Sequence, residues 1–214
     1  MSTPAGGLVL ADPESLRDLA TFVGRAKGAV PEGAVRLQAV GSVLATWVGL
    51  LDGSGLASDG AVLGLRTVAL AEPSELDVCV PLAALTDRTA RAGAADVELP
   101  IPPQTVAPRW AALTPPRGGW EPVGTLPAEL LHEAARAGIA EIALGSPDGA
   151  GSHAVAALRQ RVWAAPTAST PPVPAGAAFG LHVLGFLTPG EGVTVHAAGR
   201  WTRLTTTVGF VLTR

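Results

Sequence analysis

Residues 99–124 of this 214-residue chain contain seven prolines, which constrain the fold more than any other feature. Proline fixes φ and lacks a backbone N–H, so no long helix or strand crosses this segment. Trp110 and Trp120 lie within it. Because tryptophans favour burial, we expect an ordered strap joining residues 1–98 to residues 125–214. A proline-rich recognition segment for an aromatic groove is the alternative.

The residues before the strap predict a β-rich half with flanking helices. The predicted helices run from an Asp12 N-cap to Gly28 and over 81–93, and the predicted strands cover 34–51, 61–70 and 76–80. Within 34–51 the apolar residues alternate from Val35 to Ala39 and again from Val43 to Trp47. This pattern indicates two strands that meet at Gly41, or one long bent strand.

The residues after the strap predict a helical half that ends in a β-hairpin. We expect helices at 125–138, 152–164 and 175–187, a short strand at 139–144, and hairpin strands at 193–198 and 203–213. This order is also that of a winged-helix domain, although the third helix carries no Arg, Lys, Gln or Asn with which to read a major groove. The predicted fold class is α+β.

The loop between the second-half helices is rich in glycine. It ends Gly151-Ser152-His153 and therefore lacks the lysine of a phosphate-binding P-loop. Its glycines also miss the spacing of a dinucleotide fingerprint. Gly149, Gly151 and Ser152 form a candidate anion site, since a helix N-terminus attracts negative charge. The alternative is a connecting loop in which Ser152 caps the helix.

No spacing of reactive side chains predicts catalysis or a metal. Cys79 is the sole cysteine, and the surrounding LDVCVPL is typical of a buried strand. No two of the four histidines, His132, His153, His182 and His196, have the spacing of metal ligands. No Gly-x-Ser-x-Gly elbow occurs. We expect no catalytic residues, no metal and no cofactor, although a small-molecule enzyme with a site between the halves, near His153 or His182, stays open.

Charge and apolar content indicate the class of partner. The net charge of −3 gives no general attraction to nucleic acid or membranes, and no apolar run reaches the length of a membrane span. Hydrophobic residues make up 48% of the chain and charged residues only 15%, which favours apolar contact with a partner. We therefore predict a cytoplasmic, non-catalytic binding or assembly protein that contacts a protein partner or further copies of itself.

The hairpin carries the best candidate binding residues. Residues 151–214 hold five arginines against one acid, and Arg200, Trp201 and Arg203 lie together at the hairpin tip. A cationic tip with an aromatic ring suits contact with phosphate, but two arginines supply little affinity at physiological salt. Nucleic-acid association through the Arg200–Arg203 hairpin is therefore an alternative function.

Two stretches resemble known proteins. The segments Leu184-Gly185-Phe186, Gly199-Arg200-Trp201 with Arg203-Leu204, and Gly209 before Val211-Leu212 resemble the closing part of a family of uncharacterised proteins from high-GC Gram-positive bacteria. That resemblance implies no known activity. The N-terminal order of helix, several strands, DVCVPLAAL and a second helix is similar to one sliding-clamp repeat, and we base no prediction of function on it.

Overall fold

A computed structural model describes residues 7–55, 58–146 and 151–214. The elements are β1 (Leu8–Val9), α1 (Pro13–Ala29), β2 (Ala34–Ser54), β3 (Asp59–Pro81), α2 (Leu82–Thr89), β4 (Glu98–Leu99), a 3-10 helix (Arg109–Ala112), β5 (Glu121–Pro127), α3 (Ala128–Gly145), α4 (Ser152–Ala164), α5 (Ala175–Leu184), β6 (Gly192–Ala198), β7 (Trp201–Thr205) and β8 (Phe210–Thr213). The predicted α+β class is confirmed. In the described ranges, no helix combines the length and apolar character needed to span a membrane.

The chain forms two compact units. The first comprises Met1–Leu50 and Leu65–Leu113, and the second comprises Leu51–Gly64 and Thr114–Arg214. The long strands β2 and β3 each run from one unit into the other. The boundaries at residues 98 and 125 that the prolines suggest remain a prediction.

Helix α1 forms for the reasons that its sequence indicates. Asp12 is the N-cap, and its Oδ1 accepts a hydrogen bond from the Ser15 backbone N–H at 2.7 Å. That bond holds the pKa of Asp12 below its usual value, because it favours the ionised carboxylate. The residues buried along α1 recur at helical spacing: Leu16, Leu19, Phe22, Val23 and Ala26. The predicted helix is therefore confirmed, and it ends at Ala29, one residue beyond Gly28.

Strand β2 is one long strand that changes its buried face at Gly41. Odd-numbered side chains are buried up to Ala39, whereas Leu44, Thr46 and Val48 are buried beyond it. Gly41 has a φ of +57°, the left-handed conformation that a bulge residue adopts. The predicted alternation from Val43 to Trp47 therefore placed the wrong side chains on the buried face.

Strand β3 is likewise continuous, where the sequence predicted separate strands at 61–70 and 76–80. The residues between them include Pro73 and two glutamates, which favoured a break. These side chains are mostly exposed, so the strand accommodates them without burying charge.

Trp110 anchors the proline-rich segment within the first unit. It lies on the 3-10 helix and is 4% exposed, so its predicted burial is confirmed. A Cβ on Gly49 of β2 would lie 2.3 Å from Trp110 Cδ1. The absence of a side chain at Gly49 therefore lets the indole ring lie against the strand.

The second unit contains the antiparallel strands β5 to β8 of a six-stranded sheet with the order β2-β3-β8-β7-β6-β5. Its β3 portion joins β8 through backbone hydrogen bonds between Gly60, Ala61 and Arg214. The register then pairs Leu204 with Val211 on one side and with Val195 on the other. The predicted hairpin is thus three strands, because the chain turns again after Thr205.

Three helices pack together in the second unit. Residues 139–144, predicted as the short strand of a winged-helix order, instead continue α3 to Gly145. Gly138, the predicted end of this helix, lies within it, at the point where α3 passes close to Trp163 of α4. Trp163 stacks on Phe179 of α5, with ring centroids 4.5 Å apart. This aromatic pair forms part of the core between the helices.

Candidate interaction site

The tight turn between β6 and β7 presents Arg200 to solvent. Ala198 pairs with Trp201, so Gly199 and Arg200 are the two turn residues, and Gly199 has a φ of +56°. A positive φ at the first turn residue suits a hairpin, and glycine adopts it without strain. Arg200 Nη2 lies 2.9 Å from Asp59 Oδ1, and its side chain is 64% exposed. Such an exposed ion pair contributes little stability, so the cation is accessible to a competing anion.

Arg203 has a different environment. Its guanidinium carbon lies 4.6 Å from the centroid of the Trp120 ring and 5.8 Å from that of Phe210. Burial lowers the pKa of Arg203 because it penalises the charged form. Its Nε is buried without a hydrogen-bond partner in the described part of the chain. Arg203 therefore acts as a packing residue with cation–π contacts, and does not lie beside Arg200 as a second free cation.

The aromatic residue at the tip also points inward. Trp201 is 7% exposed, so it belongs to the core. Trp120, which lies over Arg203, is partly exposed, and its Nε1 donates to the Pro116 carbonyl at 3.0 Å. Of the three binding residues predicted from the sequence, the structure leaves only Arg200 well exposed. The roles of all three in binding remain a prediction.

The candidate anion loop is described only in part. Gly149 lies outside the described residues, as does the side chain of Ser152. Gly151 is the N-cap of α4, and its carbonyl accepts from Ala154 and Val155. Ser152 is therefore the first helical residue and not the cap that the sequence suggested. Anion binding at this loop remains a prediction.

Two of the four histidines meet in space. His132 of α3 and His182 of α5 approach to 3.2 Å between their Nδ1 atoms. Burial lowers the pKa of His182, and His132 and Arg136 lower it further by charge repulsion. Sequence spacing missed this pair because its members lie fifty residues apart on separate helices. In the sequence each histidine directly follows a leucine, and the structure shows that both leucines, Leu131 and Leu181, are fully buried.

The other two histidines and the cysteine have different surroundings. His153 is exposed on α4, and His196 of β6 lies 3.5 Å from the Thr205 hydroxyl. Burial is the main cause that lowers the pKa of His196, with Arg203 opposite it as a second. Cys79 is half-buried on β3, and burial raises the pKa of its thiol. A raised pKa disfavours the thiolate that nucleophilic or redox chemistry requires.

The structure is similar to solved structures of the DNA polymerase III beta subunit. That of Pseudomonas aeruginosa gives a TM-score of 0.56 at 14% identity, covering 93% of this chain and 62% of that chain. A putative beta subunit from Eubacterium rectale gives 0.59 at 8% identity, covering 98% and 65%. The Thermotoga maritima subunit gives 0.52 at 13% identity, covering 96% and 63%. The chain thus spans less than two thirds of the length of these proteins.

The fold is therefore that of the sliding clamps, which the N-terminal element order already resembled. Residues 3–111, just over half of the chain, match the Domain of unknown function (DUF8010), and the chain belongs to that family. Residues 115–214 match a second Domain of unknown function (DUF8185). The predicted membership of an uncharacterised family is confirmed. No curated protein matches the chain.

Proposed function

We propose that this chain is a non-catalytic binding and assembly protein, which acts in complexes with protein partners that include further copies of itself. The sliding-clamp fold, present over at least 93% of the chain in the three comparisons, carries the proposal. The proteins compared are named as polymerase subunits and sliding clamps, which are components of assemblies. The same fold serves the same kind of role here.

The chemistry of the side chains supports a non-catalytic role. Within the described ranges, no three His, Cys, Asp or Glu residues form a group able to hold a metal ion. The thiol of Cys79 has a raised pKa, and Asp77 nearby pairs with Arg36 at 2.7 Å. Arg36 and Asp77 thus satisfy each other, and the raised pKa of the thiol beside them disfavours Cys79 as a nucleophile.

We place a self-association surface at the Val40–Val43 edge, defined as residues 40–43 of β2. Strand β2 is a terminal strand in the sheet order, so one side of it faces no further strand of the sheet. Val40 and Val43 are 54% and 49% exposed, and residues 40–43 carry no charge, although the Gly41 N–H donates to the Glu75 carboxylate at 3.3 Å. Natural edge strands usually carry a charge or proline that blocks pairing with another chain. An uncharged, apolar edge is therefore suited to association.

Sedimentation velocity over a range of concentrations tests this surface. We expect the wild-type chain to associate and Val40→Lys with Val43→Lys to weaken association at least about tenfold, because like charges would meet across the contact. Val9→Lys, at a 42% exposed valine of β1, is the matched control and should associate as the wild type does. A wild type that stays monomeric at every concentration, or equal weakening by the control, contradicts the surface.

Contact with nucleic acid is the second candidate function. It is favoured by the exposed Arg200 cation, whose ion pair in the described part of the chain is with the exposed Asp59, and by the naming of the compared proteins as DNA polymerase subunits. The overall charge of −3 and the packing of Arg203 under Trp120 limit such contact to a weak, salt-sensitive interaction.

Fluorescence anisotropy with a labelled DNA duplex at low salt tests this candidate. Asp59→Asn removes the partner of Arg200 and should strengthen binding, whereas Arg200→Ala should weaken it and reduce the salt slope by about one. Arg203 is left intact because its loss would disturb the packing around Trp120. Absence of binding by the wild type and by Asp59→Asn would end the candidate.

A further inference from the structure

We propose that His132 and His182 form a binding site for a first-row divalent ion of the Zn²⁺ class on the α3–α5 surface. The observation is the convergence of two imidazole Nδ1 atoms, 3.2 Å apart, from two different helices. This inference goes beyond the proposed function and does not depend on it.

The spacing of the two nitrogens is that of two ligands on one ion. Zinc–nitrogen bonds of about 2.0–2.1 Å at a tetrahedral angle place two ligand nitrogens about 3.3 Å apart. The two rings meet edge to face, with an interplanar angle of 74° and centroids 4.7 Å apart. Neither ring is stacked flat on the other, so the in-plane lone pairs of both Nδ1 atoms can be directed to a shared point.

The helices hold the two side chains in place before any ion binds. The residue before His132 is Leu131 and the residue before His182 is Leu181, and both leucines are fully buried. Helices α3 and α5 contact each other directly. The backbone on both sides of the site is therefore fixed by the core, which reduces the entropy lost when an ion is bound.

Binding of an ion requires one of the two imidazoles to change its tautomer. In the metal-free pair one Nδ1 donates its proton to the other, so the donor must move that proton to its Nε2 when the ion binds. Arg136, one turn after His132 on α3, opposes a bound cation by charge repulsion.

The ligand set defines the class of ion. Imidazole nitrogen suits Zn²⁺, Cu²⁺ and Ni²⁺, whereas Mg²⁺ and Ca²⁺ prefer oxygen. Among the described residues no third His, Cys, Asp or Glu joins the pair to form a group of three. Water therefore fills the other positions, and the site is open to an additional ligand from solvent or from a partner.

Calorimetric titration of the untagged full chain with ZnCl₂ at neutral pH tests the site. We expect saturable binding that His132→Ala and His182→Ala each weaken more than about tenfold. His153→Ala removes an exposed histidine of α4 and should leave the affinity unchanged, and MgCl₂ should not bind. Thermal unfolding without metal establishes that each variant remains folded.

Two further measurements separate this site from adventitious binding. Arg136→Gln should tighten Zn²⁺ binding, because it removes the nearby positive charge. Affinity should fall at acid pH, where protons compete with the ion for the imidazole nitrogens. In NMR spectra, Zn²⁺ should shift the imidazole resonances of His132 and His182 but not those of His196. The absence of saturable binding, or equal affinity in the wild type and both pair variants, overturns the proposal.

Discussion

Replacing Trp110 with alanine is expected to lower the free energy of unfolding by about 3–5 kcal/mol. The indole ring is 4% exposed and lies against the backbone of Gly49. Removing it opens a cavity in the first unit, and the loss of buried apolar surface adds to the cost of the cavity. Urea denaturation followed by circular dichroism measures the change, since fluorescence would lose one of its reporters.

A double-mutant cycle with Gly49 shows whether this contact is the cause. Gly49→Ala alone should destabilise by about 1–3 kcal/mol, because its Cβ would overlap the indole. In the Trp110→Ala background the same change should be neutral or stabilising, because the overlap is gone and alanine restricts the unfolded strand. If the two effects add instead, the contact between Gly49 and Trp110 does not account for the stability.

Gly138→Ala is expected to destabilise the protein, although alanine is the better helix former. A new Cβ would lie 2.4 Å from Trp163 Cζ3, and the stack on Phe179 restricts the movement of that ring. Overpacking costs about 1–3 kcal/mol, which exceeds the gain of about 1 kcal/mol from helix propensity. Thermal and urea unfolding of the full chain measure the net loss.

Two controls fix the sign of this effect. Gly24→Ala in α1 meets no atom within 4 Å, so it should stabilise the protein by about 0.8–1 kcal/mol. Gly138→Ala in a Trp163→Ala background should also be stabilising, because the obstructing ring is absent. Destabilisation by Gly24→Ala, or by Gly138→Ala without Trp163, would show that packing is not the reason.

The elements that the sequence predicts well are those governed by local chemistry. The Asp12 cap, the Pro13 start and the apolar stripe determine α1 without help from the rest of the chain. Helix α5 likewise begins directly after Pro174 as predicted, but it ends at Leu184 and not at residue 187, because Gly185 takes a φ of +67° that glycine adopts readily. In both helices the predicted start agrees with the structure.

The failures share a tertiary cause. Gly138 resembles a helix stop, but a side chain at this position would overlap Trp163. The reason for the glycine therefore lies twenty-five positions further along the chain, where local sequence gives no indication of it. The apolar run after it was therefore predicted to be a strand. At Gly41 the buried side chains of β2 change from odd-numbered to even-numbered positions. The local sequence does not indicate that this glycine takes the left-handed conformation.

The candidate sites show the same limit. Arg200 is exposed as its turn position suggests, but Trp201 and Arg203 are committed to packing that involves partners across the sheet. The pairing of His132 with His182 depends on how α3 and α5 pack, which spacing along the chain does not encode. Chemistry that is assembled by tertiary contact is the part that sequence reading misses.

Because β2 and β3 contribute residues to both units, the boundary between the two family matches does not coincide with the boundary between the units. The DUF8185 match begins at residue 115, yet the unit that it describes also contains Leu51–Gly64, which lies in the DUF8010 match. Within that unit, Gly60 donates to the Arg214 carbonyl, and Leu51 and Val62 lie against Gly176. The C-terminal module is incomplete without residues encoded upstream, so recombination at the boundary between the two matches would separate a unit from part of its own core.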